Sequence, residues 1–405
     1  MTTQSVGDDG RGRGQHGDRM KHESAFLERA RRVAVEVAQV HAEDVDARAR
    51  FPHEAIEALK NERLLSAGIP REFGGGGVDM VELAAICEVL AQRCASTAMI
   101  YAMHLIQVAC ITRHRRESPF FAAYLRELVE QQSLLASVTS EVGVGGEMRS
   151  SVTSVVPQGA SFSVDKDATT ISYGEQADGL VLTARSSPDA PRNDQVLVVL
   201  RRADYVLEKK GSWDTLGMRG TCSPAFRVVA AAPLEQVLPV PFDAIASETM
   251  VPFSHILWSS CWLGIATAAL SRARAFVRAQ ARAKPGATGG TLRLAEASSQ
   301  LQLMGTNVRE VAADCQRLMK TPAGTAALST IGFALKMNNL KVATSQLVFD
   351  IAMRAMTICG ITGYKNDSAF AVGRHLRDAC SASLMVANDR IYATNASLLL
   401  VLKDD

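Results

Sequence analysis

The sequence predicts an α+β chain laid out as helices, then strands, then a helical bundle. Three observations lead there. Apolar residues recur at three- and four-residue spacing through roughly the first and last thirds, as one buried helix face requires. Between Leu134 and about Val240 the pattern changes to short β-branched runs broken by Gly, Pro, Asp and Ser. The composition is 47% hydrophobic but only 5% aromatic, which suits helices packed through small and aliphatic side chains.

Residues 1–22 are polar, Gly-rich and charged, without the apolar core of a signal peptide, and are expected to be a disordered tail. Residues 23–132 form an expected helical domain. Phe26, Ala30, Val33, Ala34 and Val37 share one face. Phe51-Pro-His-Glu opens another helix, with Pro52 in the first turn and Glu54 at the positive end of the dipole. Ile69–Gly77 ends in four glycines and must be a loop. It lacks the Lys-Ser/Thr of a phosphate-binding loop. Helices resume over Met80–Gln92 and Ser96–His114.

Residues 133–245 are expected to be a compact antiparallel β-domain, with strands in Ser151–Val156, Gly179–Thr183 and Gln195–Leu200. Residues 246–405 are expected to be a four-helix bundle. Its helices are placed at Pro252–Arg282, Leu292–Lys320, Thr325–Ile358 and Ser368–Leu402.

The 44 basic and 42 acidic residues leave a net charge of +2. That balance offers no electrostatic case for nucleic acid or an anionic membrane. No unbroken apolar run reaches the roughly 18 residues of a spanning helix. The 8 cysteines include no C-x-x-C pair and read as reduced thiols of a cytoplasmic protein.

Several segments carry chemistry. Trp213–Ser223 (WDTLGMRGTCS) is a turn punctuated by Gly217 and Gly220, with Arg219 as a fixed planar donor rather than a catalytic group. Ala136–Gly146 (ASVTSEVGVGG) is a Gly-rich loop whose backbone can approach a flat ring. Thr170–Tyr173, Arg282–Gly286 (RAKPG), Gly360–Tyr364 and Arg374–Asp378 (RHLRD) complete the set. Together, over nearly everything after the tail, these resemble the acyl-CoA dehydrogenase family of flavoproteins.

That resemblance implies an N-terminal helical domain, a central β-barrel domain and a C-terminal four-helix bundle. It implies FAD at a subunit interface of a homodimer or homotetramer. The implied reaction is α,β-dehydrogenation of an acyl thioester, on CoA or an acyl-carrier protein, with hydride passed to flavin N5. Electrons would leave to an acceptor flavoprotein or reductase. Thr139 and Ser140 match the flavin-contacting part of the family's T-E-P-x-x-G-S-D loop, although the Pro and the Gly-Ser-Asp are absent. Ser172 keeps the hydroxyl of the W-I-T-N strand, while Thr170 replaces its aromatic residue. Arg282 matches the Arg that reaches a neighbouring subunit's FAD pyrophosphate, with Pro285 in place of Phe; it reads equally as an exposed Arg at a helix end. Gly360 and Gly363 match the G-G-x-G turn beside the FAD.

The resemblance breaks at the catalytic base. The usual Glu position falls on Val386, and the position used by a minority of the family falls near Ser254 and His255. Neither carries a carboxylate. Asp389, nearly one turn beyond Val386, is the first substitute, and His255, which titrates near neutrality, is the second. Two alternatives stay open: a flavin-dependent monooxygenase of the same fold, which needs no such Glu, and a binding protein that kept the fold without the chemistry.

Overall fold

The computed structural model describes residues 24–283 and 290–402. The expected tail, and Pro285 and Gly286 of the RAKPG segment, lie outside the described residues.

Helix α1 (Ala25–Val33) runs through one π-turn into α2 (Gln39–Arg48). Then come α3 (His53–Asn61), α4 (Met80–Ala91), α5 (Ala95–His114) and α6 (Pro119–Gln131). Their starts follow local chemistry. Asp79 caps α4 by accepting the Glu82 N–H at 3.0 Å, and Ser118 caps α6 just before Pro119. Helix α5 is buried almost all round and forms the floor on which the central domain rests; its His104 Nδ1 accepts the Leu135 N–H at 3.0 Å.

Seven strands follow: β1 (Leu135–Val138), β2 (Val156–Gln158), β3 (Ser161–Ala168), β4 (Gly179–Arg185), β5 (Gln195–Arg201), β6 (Tyr205–Lys209) and β7 (Phe226–Pro233). They form two sheets, ordered β1-β4-β5 and β2-β3-β7-β6. The expectation of a wholly antiparallel domain needs correcting, because β1 and β4 are parallel. About forty residues separate them, enough for the crossover that parallel pairing needs. The expected strand at Ser151–Val156 shrinks to one bridge at Ser154 and the start of β2. The Val152 and Thr153 N–H groups and the Ser151 hydroxyl are spent on the Glu141 carboxylate instead of a ladder, and the Ser151 N–H goes to the Arg192 carbonyl.

The bundle begins at α7 (Phe242–Ile245), which continues through a π-turn at Ala246–Met250 into α8 (Val251–Ala283). It goes on through α9 (Thr291–Leu318), the short α10 (Pro322–Ala327), and α11 (Ile331–Cys359). The fourth expected helix is not continuous. The chain forms one turn, α12 (Ile361–Tyr364), then α13 (Gly373–Cys380), breaks, and resumes as α14 (Asn388–Leu399). The break carries Val386 at φ +47°, costly for a β-branched residue. Buried Lys341 holds it, donating to the Val386 carbonyl at 2.8 Å and to Asn388 Oδ1 at 2.7 Å.

Three helical stretches are long and apolar enough, by length and composition, to cross a membrane: Ala95–His114, Phe242–Ala283 and Ile331–Cys359. The expectation of no such segment holds only for unbroken apolar runs. In the first two, 89% of the apolar window is buried inside the protein, so their apolarity is accounted for by the core.

Candidate functional site

The Trp213–Ser223 turn is where all three parts of the chain meet. A Cβ on Gly217 would collide with the Arg377 backbone carbonyl, and one on Gly220 with Val45, so both glycines permit close approach. Met218, at φ +52°, donates its N–H to Asp378 Oδ1 at 2.8 Å. Arg219 Nε donates to the Asp46 carbonyl at 2.8 Å, and Arg377 pairs with the Asp46 carboxylate. Arg219 therefore clamps the β-domain to α2, and Arg377-Asp378 locks α13 onto both. Burial pushes the Asp378 carboxyl up to about 6, although Arg374 and the Met218 N–H favour its ionised form.

The turn also supports a patch of hydroxyls. Ser223 donates to Ser172 Oγ at 2.8 Å and shares a hydrogen bond with Thr221 at 2.9 Å. Tyr173, at φ +44°, donates its N–H to the Thr221 carbonyl and its O–H to the Leu135 carbonyl. That ties the 170–173 segment to β1. At the end of β1, Ser140 donates to the Thr170 carbonyl at 2.8 Å and accepts the Thr170 N–H at 3.1 Å. Three predicted residues, Thr139, Ser140 and Ser172, thus lie on segments that are bonded to one another.

Their hydroxyls are not equivalent. Ser140 is spent as a staple. Thr139 makes no side-chain hydrogen bond among the described residues, and Ser172 accepts one bond while its own proton has no acceptor there. Two half-buried hydroxyls are therefore available to a polar ring edge. Beside them runs the loop with Gly143, Gly145 and Gly146, all at positive φ. This donor set fits the carbonyl and nitrogen edge of a flavin ring.

An unexpected buried pair fixes the start of that loop. Glu141 accepts the Thr153 N–H at 2.6 Å and the Ser151 hydroxyl at 2.7 Å, and lies 3.6 Å from Lys166 Nζ. Burial works to raise the Glu141 carboxyl, but Lys166, Ser151 and Thr153 outweigh it and hold it below its ordinary value. Burial pulls Lys166 down to about 8. Sequence reading missed the pair, yet a signal was there: Lys166 sits in phase with Phe162, Val164 and Ala168 on the buried face of β3.

The two candidate bases differ in setting. Asp389 stands exposed in the first turn of α14 and forms no ion pair among the described residues. The next residue, Arg390, reaches Gly146 of the glycine loop, where a Cβ would strike its guanidinium. Asp389 is therefore one residue from a contact with that loop. His255 is buried in α8, its Nδ1 bonded to the Met337 carbonyl at 3.1 Å. A carbonyl only accepts, so Nδ1 carries the proton. Burial, reinforced by Lys341, pulls the His255 pKa down to about 4, so the ring is neutral and weakly basic. Val386 is half exposed in the break between α13 and α14.

The remaining predicted residues sit at one end of the bundle. Arg282 is exposed in the last turn of α8. Gly360 caps α11 at φ +58°, and buried Gly363 accepts the Val372 N–H at 2.9 Å, folding the chain back toward α13. No hydrogen bond among the described residues joins these three to the hydroxyl patch.

A family profile described as acyl-CoA dehydrogenase, N-terminal domain, matches residues 20–132. Cyclohex-1-ene-1-carbonyl-CoA dehydrogenase of Syntrophus aciditrophicus (strain SB) is 25% identical over 64% of this chain, an alignment spanning 63% of that protein. A probable acyl-CoA dehydrogenase, fadE25, of Mycobacterium leprae (strain TN) is 25% identical over 89% of this chain and 90% of its own length. Among solved structures, butyryl-CoA dehydrogenase from Megasphaera elsdenii superposes with a TM-score of 0.80 at 19% identity, covering 93% of this chain and 97% of the other. Dibenzothiophene monooxygenase (TdsC) from Paenibacillus sp. A11-2 superposes at 0.78 and 21%, covering 94% and 98%. Both share the fold. The profile match over residues 20–132, the motifs and the three-part architecture agree in supporting an acyl-CoA dehydrogenase-family protein.

Proposed function

We propose that the chain is a flavin-dependent oxidoreductase that removes hydrogen from a CH–CH unit of an acyl thioester, carried on CoA or an acyl-carrier protein. The observation that carries this reading is the hydroxyl patch. Thr139 and Ser172 offer free donors beside a glycine loop, and that loop touches α14 next to Asp389. FAD is the proposed cofactor, and it supplies a two-electron acceptor for the substrate's β-hydrogen. Thr139 and Ser172 would hold the ring edge, and Ser140 and the Glu141–Lys166 pair would hold the loop in place. Asp389 is the proposed base for the α-proton. His255 ranks behind it because of its burial and low basicity.

The bundle's exposed apolar side chains support a homodimer or homotetramer, in which a neighbour's Arg282, Gly360 and Gly363 would complete the cofactor site. An acceptor flavoprotein or reductase would take the electrons. All 8 cysteines are free, which supports a reducing, cytoplasmic setting.

A second reading rests on a specific observation. No carboxylate occupies Val386, and exposed Thr170 stands where the family has an aromatic residue. Both suit a monooxygenase that uses reduced flavin and oxygen, and TdsC, which shares the fold, is a dibenzothiophene monooxygenase. Anaerobic addition of an acyl-CoA panel to flavin-loaded protein separates the readings. Bleaching by one thioester without NAD(P)H supports the dehydrogenase, and its loss in Asp389→Asn supports Asp389 as the base. Bleaching only with a reductase and NAD(P)H supports the monooxygenase. Protein that neither carries nor rebinds flavin is a binding protein.

A further inference from the structure

A cavity of about 430 Å³ lies away from the hydroxyl patch, between α4, α5, the start of α8 and the end of α9. None of its lining residues belongs to the central β-domain. Leu83, Leu105, Val108 and Phe253 form an apolar wall. Arg113 also lines it, half-buried on α5. Its Nε donates to Thr249 Oγ1 at 3.0 Å, in the π-turn that leads into α8. The rest of the guanidinium has no hydrogen bond or ion pair among the described residues. Next to it in sequence, the buried Thr112 hydroxyl has no hydrogen-bond partner among the described residues either.

A half-buried guanidinium without a carboxylate is an unbalanced charge. Burial lowers the pKa of Arg113, and Glu248 is near enough to oppose that slightly without forming an ion pair. At the rim, Arg71 makes a single hydrogen bond among the described residues, to the Gly76 carbonyl at 3.4 Å. The one acid in the lining, Asp79, has an oxygen committed to the α4 cap. The lining therefore carries two cations to one anion, around an apolar interior of small-ligand size.

We propose that this cavity binds a small aliphatic carboxylate, its head on Arg113 and its chain against Leu83, Leu105, Val108 and Phe253. A thioester substrate carries no such charged head at the end of its acyl chain. The proposal therefore assigns a second site and does not depend on the flavin reading.

The test is calorimetric titration of the full chain with octanoate, and with octan-1-ol as the uncharged counterpart. One octanoate per chain is expected, binding at least tenfold more tightly than octan-1-ol. Arg113→Gln should weaken octanoate at least tenfold with little effect on the alcohol, and Arg113→Lys should recover part of the loss. Met319→Trp, which narrows the mouth, should weaken both ligands and keeps the test alive if Arg113→Gln does not fold. The proposal is overturned by no octanoate binding, by equal affinity for the alcohol, or by octanoate affinity unchanged in the folded variants. It is also overturned if acyl-CoA displaces octanoate one for one, which would place the fatty acid in the thioester site. The readout is binding, so failure of the dehydrogenase reading leaves the outcome interpretable.

Discussion

The N-terminal helical region and the C-terminal bundle are built from similar apolar helices but treat them differently. Helix α5 buries nearly every residue, and from 24 to 132 only Val35, Val40 and Val81 are exposed large hydrophobics. From Leu292 onward there are 13, among them Leu303, Phe349, Met353, Leu384, Tyr392 and Leu400. Only half of the apolar window of α11 is buried, against 89% for α5. The first region is closed by its own chain, through the sheet on one side and α8 on the other. Among the described residues the bundle leaves these apolar side chains uncovered, as a surface that meets another protein would.

The largest effect that would sharpen this contrast is in α5. Ile100→Ala removes a fully buried side chain and should cost ~2–5 kcal/mol, read from urea unfolding. A loss below ~1 kcal/mol would mean that α5 is not the closed core described. Next is the junction between regions. Gly217→Ala forces a Cβ against the Arg377 carbonyl and should cost ~1–3 kcal/mol. Unchanged stability would show that α13 and the β-turn are not in such close contact.

Asp378 tests the same junction through pH. Its folded pKa, about 6, lies above the ordinary carboxyl value, so the folded state holds the proton more tightly. Stability from this group should therefore fall as pH rises from about 4 to 6 and level off above. Asp378→Asn keeps an acceptor for the Met218 N–H and should flatten that slope. Asp378→Ala leaves the N–H unpaired and should cost ~1–3 kcal/mol at every pH. A wild-type slope that persists in Asp378→Asn would assign the effect elsewhere.

The smallest stability effect belongs to the open face of the bundle. Met353→Glu should change monomer stability by about 0.5 kcal/mol or less. In light scattering it should nevertheless shift a dimer or tetramer toward monomer. An assembly untouched by charge at Met353 and Phe349 would place the interface elsewhere and weaken the comparison.

Much of the fold was legible because its signals are local. The starts of α4, α5 and α9, and the cores of β4 and β5, fall within a residue or two of where apolar spacing and β-branched runs place them. The candidate site was only partly legible. Thr139, Ser140 and Ser172 were found through the family motif, but that Ser140 is a staple and Thr139 is free depends on Thr170, thirty residues away. His255 looked available because sequence shows a titratable ring and not its burial. Lys341 escaped notice because a lone Lys in a helical pattern ordinarily reads as a solvated face.

By itself, then, the sequence determined the order of helices, strands and bundle, the positions of caps and glycine turns, and the family motifs. Each of these depends on residues within a few positions of one another. Only the tertiary structure decided the parallel β1–β4 pairing, the break at Val386 under Lys341, the Glu141–Lys166 pair and the Asp378 contact with Met218. The last spans 160 residues of chain. Burial of these polar groups makes their hydrogen bonds obligatory, and the partner that satisfies each is set by how distant segments pack, which no local pattern encodes.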